Sequence, residues 1–427
     1  MSQLSDVNYT ILQLLAECGW VSQSTLKLTG YSYTYRIRNL KMLLDQQYIR
    51  KQGKGKEKSY ALATKGRNHL AGFNARRFRE EVMTQTKQLS RHPERAVLRG
   101  DAAAMLSVAG FSVHMDDKPA LPANMPPLPE RPALRDWKNL IQNVRLFSYP
   151  GEVDEQVYER RLSPFGCYYD ATEIKELAGN SGWDTAGIGY SRACGILVTP
   201  SYLLRVYHSR DVAMKIQVTG ERNFHNLLLS DLILSGYLPQ ENDAALVFGK
   251  DFTAAEHILG NHLERSNAQT PVYVKRGKKK GYHAIHGTKG EMLAPANLGN
   301  PTFYLPLYKE SLGLLRLMHY PLWQNMLIRE ICREVFQLNN QERWCFETDG
   351  CTVYILVSLN LSQIALAMRN IRMSADKKIR IICLDWQEPF FSQMLEPFAD
   401  HLDIRLTRLS AAYMESILKY FEQYWRE

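Results

Sequence analysis

The chain has 427 residues and a mass of 49.2 kDa; 45% of the residues are hydrophobic and 23% are charged. This composition is typical of globular proteins and excludes a disordered or collagen-like chain, and the length predicts two or three domains. The seven cysteines form no Cys-x-x-Cys pair, which disfavours a zinc ribbon and fits a reducing compartment. No membrane span or secretory signal is predicted, so we expect a cytoplasmic protein.

The net charge of +9 is distributed very unevenly along the chain. The first 100 residues hold 18 basic and 7 acidic residues, whereas the remaining 327 hold 35 basic and 37 acidic residues. The excess positive charge therefore belongs to the first quarter of the chain. Such asymmetry predicts that one module contacts a polyanion.

Three helices are predicted at the start of the chain. Apolar residues at helical spacing indicate a first helix from Val7 to Cys18, ended by Gly19. A short second helix is expected around Ser22 to Leu28, with Ser22 as its N-cap, and a turn at Gly30 leads into a third helix that begins near Ser32.

The third helix has the composition of a DNA-recognition helix. Ile37, Leu40, Leu43 and Leu44 predict its buried side. The remaining side is expected to carry basic, aromatic and amide groups that suit the major groove. These residues are Tyr33, Tyr35, Arg36, Arg38, Asn39 and Lys41.

A lysine-rich hairpin is predicted after the third helix. Residues 47–51 and 59–62 are interpreted as two short strands joined by a tip that contains Gly53 and Gly55. The lysines of this segment can neutralise phosphates; they are Lys51, Lys54, Lys56 and Lys58. The order of three helices and a hairpin predicts a winged helix-turn-helix over residues 1–72. Protein contacts by the same fold are the alternative.

Residues 73–135 are interpreted as a connecting region. The stretch 72–99 is expected to continue the helix that begins near Arg67. Three roles are considered for it: a solvated helix face, an extra phosphate contact or a dimer-forming helix. Its basic residues are Arg76, Arg77, Arg79, Lys87, Arg91, Arg95 and Arg99. Six prolines between residues 118 and 132 predict an extended linker, near which we place the domain boundary.

An α/β domain is predicted over residues 136–427, with a further division into two lobes near 300–350 as an option. Near-continuous apolar strands alternate with helices, which favours a mostly parallel, covered sheet. The expected strands are Ala193–Val198, Leu203–Tyr207, Met214–Val218, Ala244–Phe248, Thr352–Ser358, Ile379–Leu384 and Ile404–Leu406. The expected helices are Phe224–Ser235, Ala254–Arg265, Leu322–Phe336, Ser362–Arg372, Phe390–Asp400 and Ala411–Tyr424.

The sequence contains no strong catalytic or cofactor motif. Neither glycine-rich phosphate-binding fingerprint occurs, which disfavours an NTPase or a dinucleotide enzyme. Acid-x-lysine patterns of metal-dependent nucleases are poorly matched at Asp116-Asp117-Lys118, Glu173-Ile174-Lys175 and Asp376-Lys377-Lys378. Asp385 follows a strand but is expected to cap a helix. A degenerate nuclease-like sheet remains an alternative.

Histidine spacing also disfavours a metal site, and no cofactor is predicted. His257 and His262 diverge on a helix, and His283 and His286 are one residue too far apart for a His-hydrophobe-His pair.

A second basic patch is a candidate phosphate contact, with a solvated loop as the alternative. It consists of Lys275, Arg276, Lys278, Lys279 and Lys280.

The N-terminal segment resembles the winged helix of the replication-relaxation proteins, which plasmids and integrative conjugative elements of Gram-positive bacteria encode. The similarity is carried by residues 33–43 (YTYRIRNLKML) and 64–66 (TKG), and residues 190–197 (YSRACGIL) are compatible with it. The resemblance implies a DNA-binding accessory protein of plasmid replication or conjugative transfer, and it implies no catalytic residues.

We therefore expect a non-catalytic protein that binds double-stranded DNA through its first module and forms a homodimer, or binds a replication or transfer protein, through its α/β region. The expected DNA contacts are Ser32, Tyr33, Tyr35, Arg36, Arg38, Asn39, Lys41, Lys51, Lys54, Lys56 and Lys58. Two alternatives remain open. One is a metal-dependent nuclease in which Asp349, Asp385 and a lysine converge at one sheet edge. The other is a ligand-responsive transcriptional regulator.

Overall fold

The computed structural model describes residues 4–53, 58–78, 93–118, 166–180, 191–209, 243–259, 301–373, 378–400 and 402–426, with short pieces at 215–216, 221, 224, 273–275, 282–284 and 291–292. These residues form 11 helices and several sheets, which confirms the α/β class. Both larger sheets mix parallel and antiparallel strands. The expectation of a mostly parallel sheet holds for the four-stranded sheet, where two of three strand pairs are parallel, but not for the five-stranded sheet, where two of four are.

Three α-helices, one 3₁₀ helix and a three-stranded sheet make up the N-terminal part. Helix α1 spans Asp6–Cys18, strand β1 spans Val21–Ser22, and a 3₁₀ helix follows at Thr25–Thr29. Helix α2 covers Tyr33–Asp45, and strands β2 (Ile49–Gln52) and β3 (Ser59–Leu62) form an antiparallel hairpin. The strand order is β1-β3-β2.

The predicted second helix is shorter than expected and is not an α-helix. The Ser22 hydroxyl does accept the N–H of Thr25 at 3.1 Å, as a capping residue would. The backbone of Ser22, however, lies opposite Ser59 in the sheet. Because Ser22 pairs with β3, the helical part of this segment begins only at Thr25, and it is a short 3₁₀ helix.

Helix α3 (Thr64–Phe73) closes this part by packing tightly against the backbone of Tyr48, just before β2. A Cβ added at Gly66 would lie 2.1 Å from the backbone oxygen of Tyr48, so only glycine allows this approach. Buried leucines and isoleucines of α1, α2 and the hairpin form one hydrophobic cluster around this contact.

Residues 74–78 form turns and do not continue α3, contrary to the expected helix. The side chain of Asn74 accepts the N–H of Arg77 at 3.0 Å, which stabilises the turn in place of a further helical turn. Residues 79–92, with Arg79, Lys87 and Arg91, lie outside the described residues, as does the proline-rich segment from Pro119.

Helix α4 (Pro93–Val108) contacts both parts of the molecule. Ala104 belongs to the N-terminal hydrophobic cluster, whereas Ala103 and Met105 belong to the larger one. A Cβ at Gly100 would lie 1.8 Å from the backbone oxygen of Trp20, and the Asp101 carboxylate accepts the N–H of Ser22 at 2.7 Å. The N-terminal part is thus held directly against α4.

A five-stranded sheet lies beyond α4, in the order β12-β8-β6-β5-β4. Its strands are β4 (Cys167–Asp170), β5 (Gly195–Val198), β6 (Leu203–Ser209), β8 (Asp243–Gly249) and β12 (Thr302–Pro306). The pairs among β6, β8 and β12 are parallel, but those of β5 with β4 and β6 are antiparallel. The turn from Thr199 to Tyr202 is too short for a parallel crossover.

The helices around this sheet are α5 (Ala171–Asn180), α6 (residues 253–259), α7 (Ser311–Leu317) and α8 (Trp323–Phe336). Two short strand pairs join β7 (Lys215–Ile216) to β11 (Glu291–Met292) and β9 (Tyr273–Lys275) to β10 (Tyr282–Ala284). Most of the expected helix Phe224–Ser235 lies outside the described residues, and so do residues 260–265 of the expected helix Ala254–Arg265.

The last part contains a four-stranded sheet in the order β13-β14-β15-β16. Strands β13 (Cys345–Thr348) and β14 (Cys351–Ile355) form an antiparallel hairpin, and β15 (Lys378–Leu384) and β16 (Ile404–Leu409) add parallel strands. Helices α9 (Leu361–Met373), α10 (Glu388–Leu395) and α11 (Ala411–Arg426) alternate with them, as predicted.

One hydrophobic cluster includes residues of α4 and of both larger sheets. An isolated bridge between Phe303 and Asn360 links β12 to the segment between β14 and α9, and the N–H of Tyr304 donates to the oxygen of Leu359 at 3.0 Å. None of the helices in the described ranges is long and apolar enough to cross a membrane.

The close approach at Gly66 predicts opposite effects for two glycines of α3. Gly66→Ala should lower the free energy of unfolding by about 1–3 kcal/mol, because the methyl group must displace the Tyr48 backbone. Gly72→Ala, in the same helix with nothing within 4 Å of the added Cβ, should raise it by up to about 1 kcal/mol. Urea unfolding midpoints measure both effects, and equal shifts for the two variants would contradict the packing.

Candidate nucleic-acid interface

The turn before α2 exposes the first residues of that helix. Gly30 ends the 3₁₀ helix with φ of 82°, a left-handed conformation that suits glycine and reverses the chain. On the inner side, Leu40 and Leu43 are buried against α1. The N-terminal end of α2 is therefore fixed in position while its outer side remains in solvent.

The exposed side of α2 combines aromatic and basic groups. Tyr33 and Tyr35 are 64% and 43% exposed, which is unusual for large aromatic side chains. Arg38 and Lys41 are exposed on the following turns, and neither has an ion-pair partner among the described residues. We call Ser32, Tyr33, Thr34, Tyr35, Arg38 and Lys41 the α2 face; all six are exposed.

Arg36 and Asn39 do not belong to the α2 face, contrary to the sequence prediction. Arg36 is only 3% exposed, and its guanidinium donates to the backbone oxygen of Tyr31 at 3.2 Å. The buried Asn39 donates to the oxygen of Tyr35 at 2.8 Å. Both lie on the helical repeat that contains Leu43, so they point inward.

These two residues support the first turn of α2. Arg36 holds the loop residue Tyr31, and Asn39 holds the backbone of Tyr35. Burial lowers the pKa of Arg36, and Tyr33 opposes this shift. Their role is to position the neighbouring exposed side chains.

Two of the four predicted hairpin lysines, Lys51 and Lys58, lie among the described residues. Lys51 is exposed on β2, and Lys58 is partly buried at the start of β3, where its backbone oxygen accepts the N–H of Gln23 at 2.8 Å. Lys54 and Lys56 lie outside the described residues. Arg50, which the sequence did not predict as a contact, stacks over the Trp20 ring at 5.0 Å.

The second predicted basic patch follows an antiparallel strand pair. Lys275 ends β9 and lies opposite Tyr282 of β10. The residues that connect the two strands, including Arg276, Lys278, Lys279 and Lys280, lie outside the described residues.

The acidic residues considered for a nuclease do not converge. Asp349 lies in the turn before β14, and Asp385 follows the carboxyl end of β15. Since β14 and β15 are parallel, the two carboxylates belong to opposite ends of the sheet. Asp385 is the first residue of a 3₁₀ helix whose N-cap is Leu384, so the expectation that Asp385 caps the helix was wrong; its carboxylate accepts the N–H of Trp386 at 2.7 Å.

Two of the weak acid-x-lysine matches instead meet inside the protein. The buried Lys118 ammonium donates to Glu173 at 2.8 Å and to the backbone oxygen of Val113 at 3.0 Å, and it lies 4.8 Å from the Tyr169 ring centre. Burial raises the pKa of Glu173, and Lys118 opposes this shift. No sequence signal paired these segments, which are about 55 residues apart.

Arg77 is also part of this interior network. Its guanidinium donates to both oxygens of Asp117, at 2.8 and 2.7 Å, and to Glu17 at 2.8 Å. Arg77 is therefore neither a solvated face nor a free phosphate contact, which were the roles expected for it. Its ion pairs join α1 to the segment before Lys118.

His257 is exposed on α6, while His262 and His286 lie outside the described residues. In the part of the chain that the structure describes, no three His, Cys, Asp or Glu side chains are placed to hold a metal ion.

No protein-family model, curated protein or solved structure matches this chain.

His114 should make stability depend on pH. Its Nε2 lies 3.1 Å from the Arg77 oxygen and its Nδ1 accepts the N–H of Asp116 at 3.2 Å, an arrangement that requires the neutral ring. Burial, and then Arg77, lower its pKa below the ordinary 6.5, while Glu17, Asp117 and Asp116 act in the opposite direction. The unfolded chain then binds the proton first, so stability is complete above about pH 6.5 and falls as the pH decreases toward the folded-state pKa.

Urea unfolding at about pH 7.5 and about pH 5.5 measures this effect. His114→Gln should lose less stability between the two pH values than the wild type, whereas His257→Gln, at an exposed histidine, should behave like the wild type. Equal losses for all three proteins would contradict the assignment. The raised pKa of Glu173 acts with the opposite sign in all three, so it cancels in the comparison.

Proposed function

We propose that residues 4–73 form a winged helix-turn-helix that binds duplex DNA. The carrying observation is the α2 face, in which aromatic and basic side chains stand exposed at the start of a helix that follows a glycine turn. The order of α1, the 3₁₀ helix, α2 and the β2–β3 hairpin supports this assignment. Recognition helices of this class present their N-terminal residues to base edges in the major groove.

The exposed residues divide into two kinds of contact. In this proposal Tyr33, Tyr35 and Arg38 contact base edges, because arginine forms bidentate bonds to guanine and aromatic rings pack against thymine methyl groups. Lys41 and Lys51 contact phosphates, which fix the register of the protein on the duplex. Arg36 and Asn39 hold the backbone that carries these contacts.

In this proposal the α/β region serves in assembly, either as a homodimer or with a replication or transfer protein. The resemblance to the replication-relaxation proteins favours an accessory role in plasmid or mobile-element replication or in conjugative transfer.

Neutralising the α2 face should weaken DNA binding in a salt-dependent way. The full chain is titrated with a fluorescent duplex of about 25 base pairs at several salt concentrations between roughly 50 and 200 mM. Arg38→Ala/Lys41→Ala should lower the affinity and reduce the slope of log K against log salt by about 0.9 for each phosphate that the protein no longer neutralises.

Lys309→Ala provides the control, since this exposed lysine lies in the α/β region, before α7. It should leave both affinity and slope unchanged. If the double variant binds as the wild type does at every salt concentration, the α2 face is not the DNA interface.

A further inference from the structure

Four basic residues from three separate segments meet at one end of α4. Arg95 and Arg99 lie one turn apart on α4, Lys175 lies on α5, and Arg192 lies shortly before β5. The Arg95 guanidinium donates to the backbone oxygen of Ser191, which brings Arg192 next to α4. We call these four residues the α4 cluster.

The segment that carries Arg192 is held firmly. The buried Glu221 accepts the N–H of Arg192 at 2.6 Å, the Ser191 hydroxyl at 3.0 Å and the Tyr207 hydroxyl at 2.7 Å. The Ala171 N–H also donates to the oxygen of Cys194 at 2.9 Å, which joins the start of α5 to the same segment. These hydrogen bonds fix the backbone position of Arg192 next to α4 and α5.

The cations of the α4 cluster lie close enough to lower one another's pKa. Burial lowers the pKa of Arg95 and of Lys175, and Arg99 lowers both further. The nearby acids act in the opposite direction but already have partners. Glu221 accepts three hydrogen bonds, and Asp170 accepts the N–H groups of Thr172 and Glu173 at the start of α5.

The accessible cations of the α4 cluster are the exposed Arg192 and the half-buried Lys175. The Nε of Arg99 makes no hydrogen bond to any described residue, but it is buried, and Arg99 borders a cavity of about 60 Å³ that the carboxylates of Glu17, Asp170 and Glu173 line. Arg99 therefore adds positive charge to the cluster, and that cavity is not the place for an anion. Guanidinium groups bind phosphate oxygens through paired hydrogen bonds, which makes an anion with several oxygens the fitting ligand.

We propose that the α4 cluster binds the phosphate backbone of the duplex that the N-terminal module contacts. Asp101 of α4 holds the backbone of Ser22, and six residues separate Arg95 from Asp101, a helix rise of about 9 Å. The α4 cluster therefore lies beside the N-terminal module, at a separation from Ser22 that is short compared with the length of one turn of B-DNA, about 34 Å. The inference rests on the proposed function, because it extends the interface of the same duplex.

The test neutralises the two cations of the α4 cluster whose side chains make no structural hydrogen bond in the described residues. Lys175→Gln/Arg192→Gln is compared with Lys309→Gln/Arg405→Gln, a charge-matched pair at exposed sites in the α/β region. With two fewer phosphates neutralised, the slope of log K against log salt should decrease by about 1.8, and binding should be weaker throughout the titration. The control pair should leave the slope unchanged.

A single charge reversal provides a second test in case the double variant does not fold. Arg192→Glu changes an exposed side chain, should keep the wild-type urea midpoint, and should weaken binding in the same direction. An unchanged slope and affinity in both cluster variants would overturn the inference.

The α2 variants separate this inference from the proposed function. If Arg38→Ala/Lys41→Ala weakens binding and the cluster variants do not, the module stands and the α4 cluster fails. If only the cluster variants weaken binding, the α4 cluster contacts DNA without the α2 face, which overturns the proposed function and the shared interface inferred from it. A wild-type chain that binds no duplex even at about 50 mM salt would overturn both.

Discussion

The close packing of α4 against the N-terminal part is the constraint on which the rest of the arrangement depends. Gly100 allows the helix to approach the backbone of Trp20, and Asp101 then accepts the N–H of Ser22. The same helix contributes Met105 to the core of the larger α/β region. A single helix thus belongs to two hydrophobic clusters, so the orientation of α2 is linked to the α/β region through packing and a hydrogen bond to a charged group.

The interior network next to α4 shows how charge is divided between structure and surface. Arg77 comes from the basic first quarter of the chain and Lys118 follows shortly after it, yet both are engaged by carboxylates, Lys118 buried and Arg77 partly buried. Breaking such a pair leaves an uncompensated buried charge, which costs more than an exposed ion pair is worth. The net charge of a segment therefore overestimates how many of its cations are free to bind a ligand, because some of them form internal ion pairs.

The same division applies within α2. Its basic and amide residues were predicted to share one outer face, but helical geometry sends Arg36 and Asn39 inward and leaves Arg38 and Lys41 outside. The inward pair forms hydrogen bonds to the backbone of Tyr31 and Tyr35. Residues that support the first turn and residues that can reach a ligand therefore alternate along the same helix.

The sequence by itself determined the elements whose apolar spacing is regular. These include α1, α2 and the alternating strands and helices after residue 350, because burial of a continuous apolar side is a local property of the chain. The Asp349-Gly350 turn, with φ of 51° and 68°, carries a recognisable hairpin signal, although no hairpin was predicted there. Only the tertiary structure decided the mixed strand directions, the pairing of Lys118 with Glu173, and the meeting of Arg95 with the segment of Arg192. These contacts join residues far apart in sequence, and their formation depends on how helices and sheets pack, which no local pattern encodes.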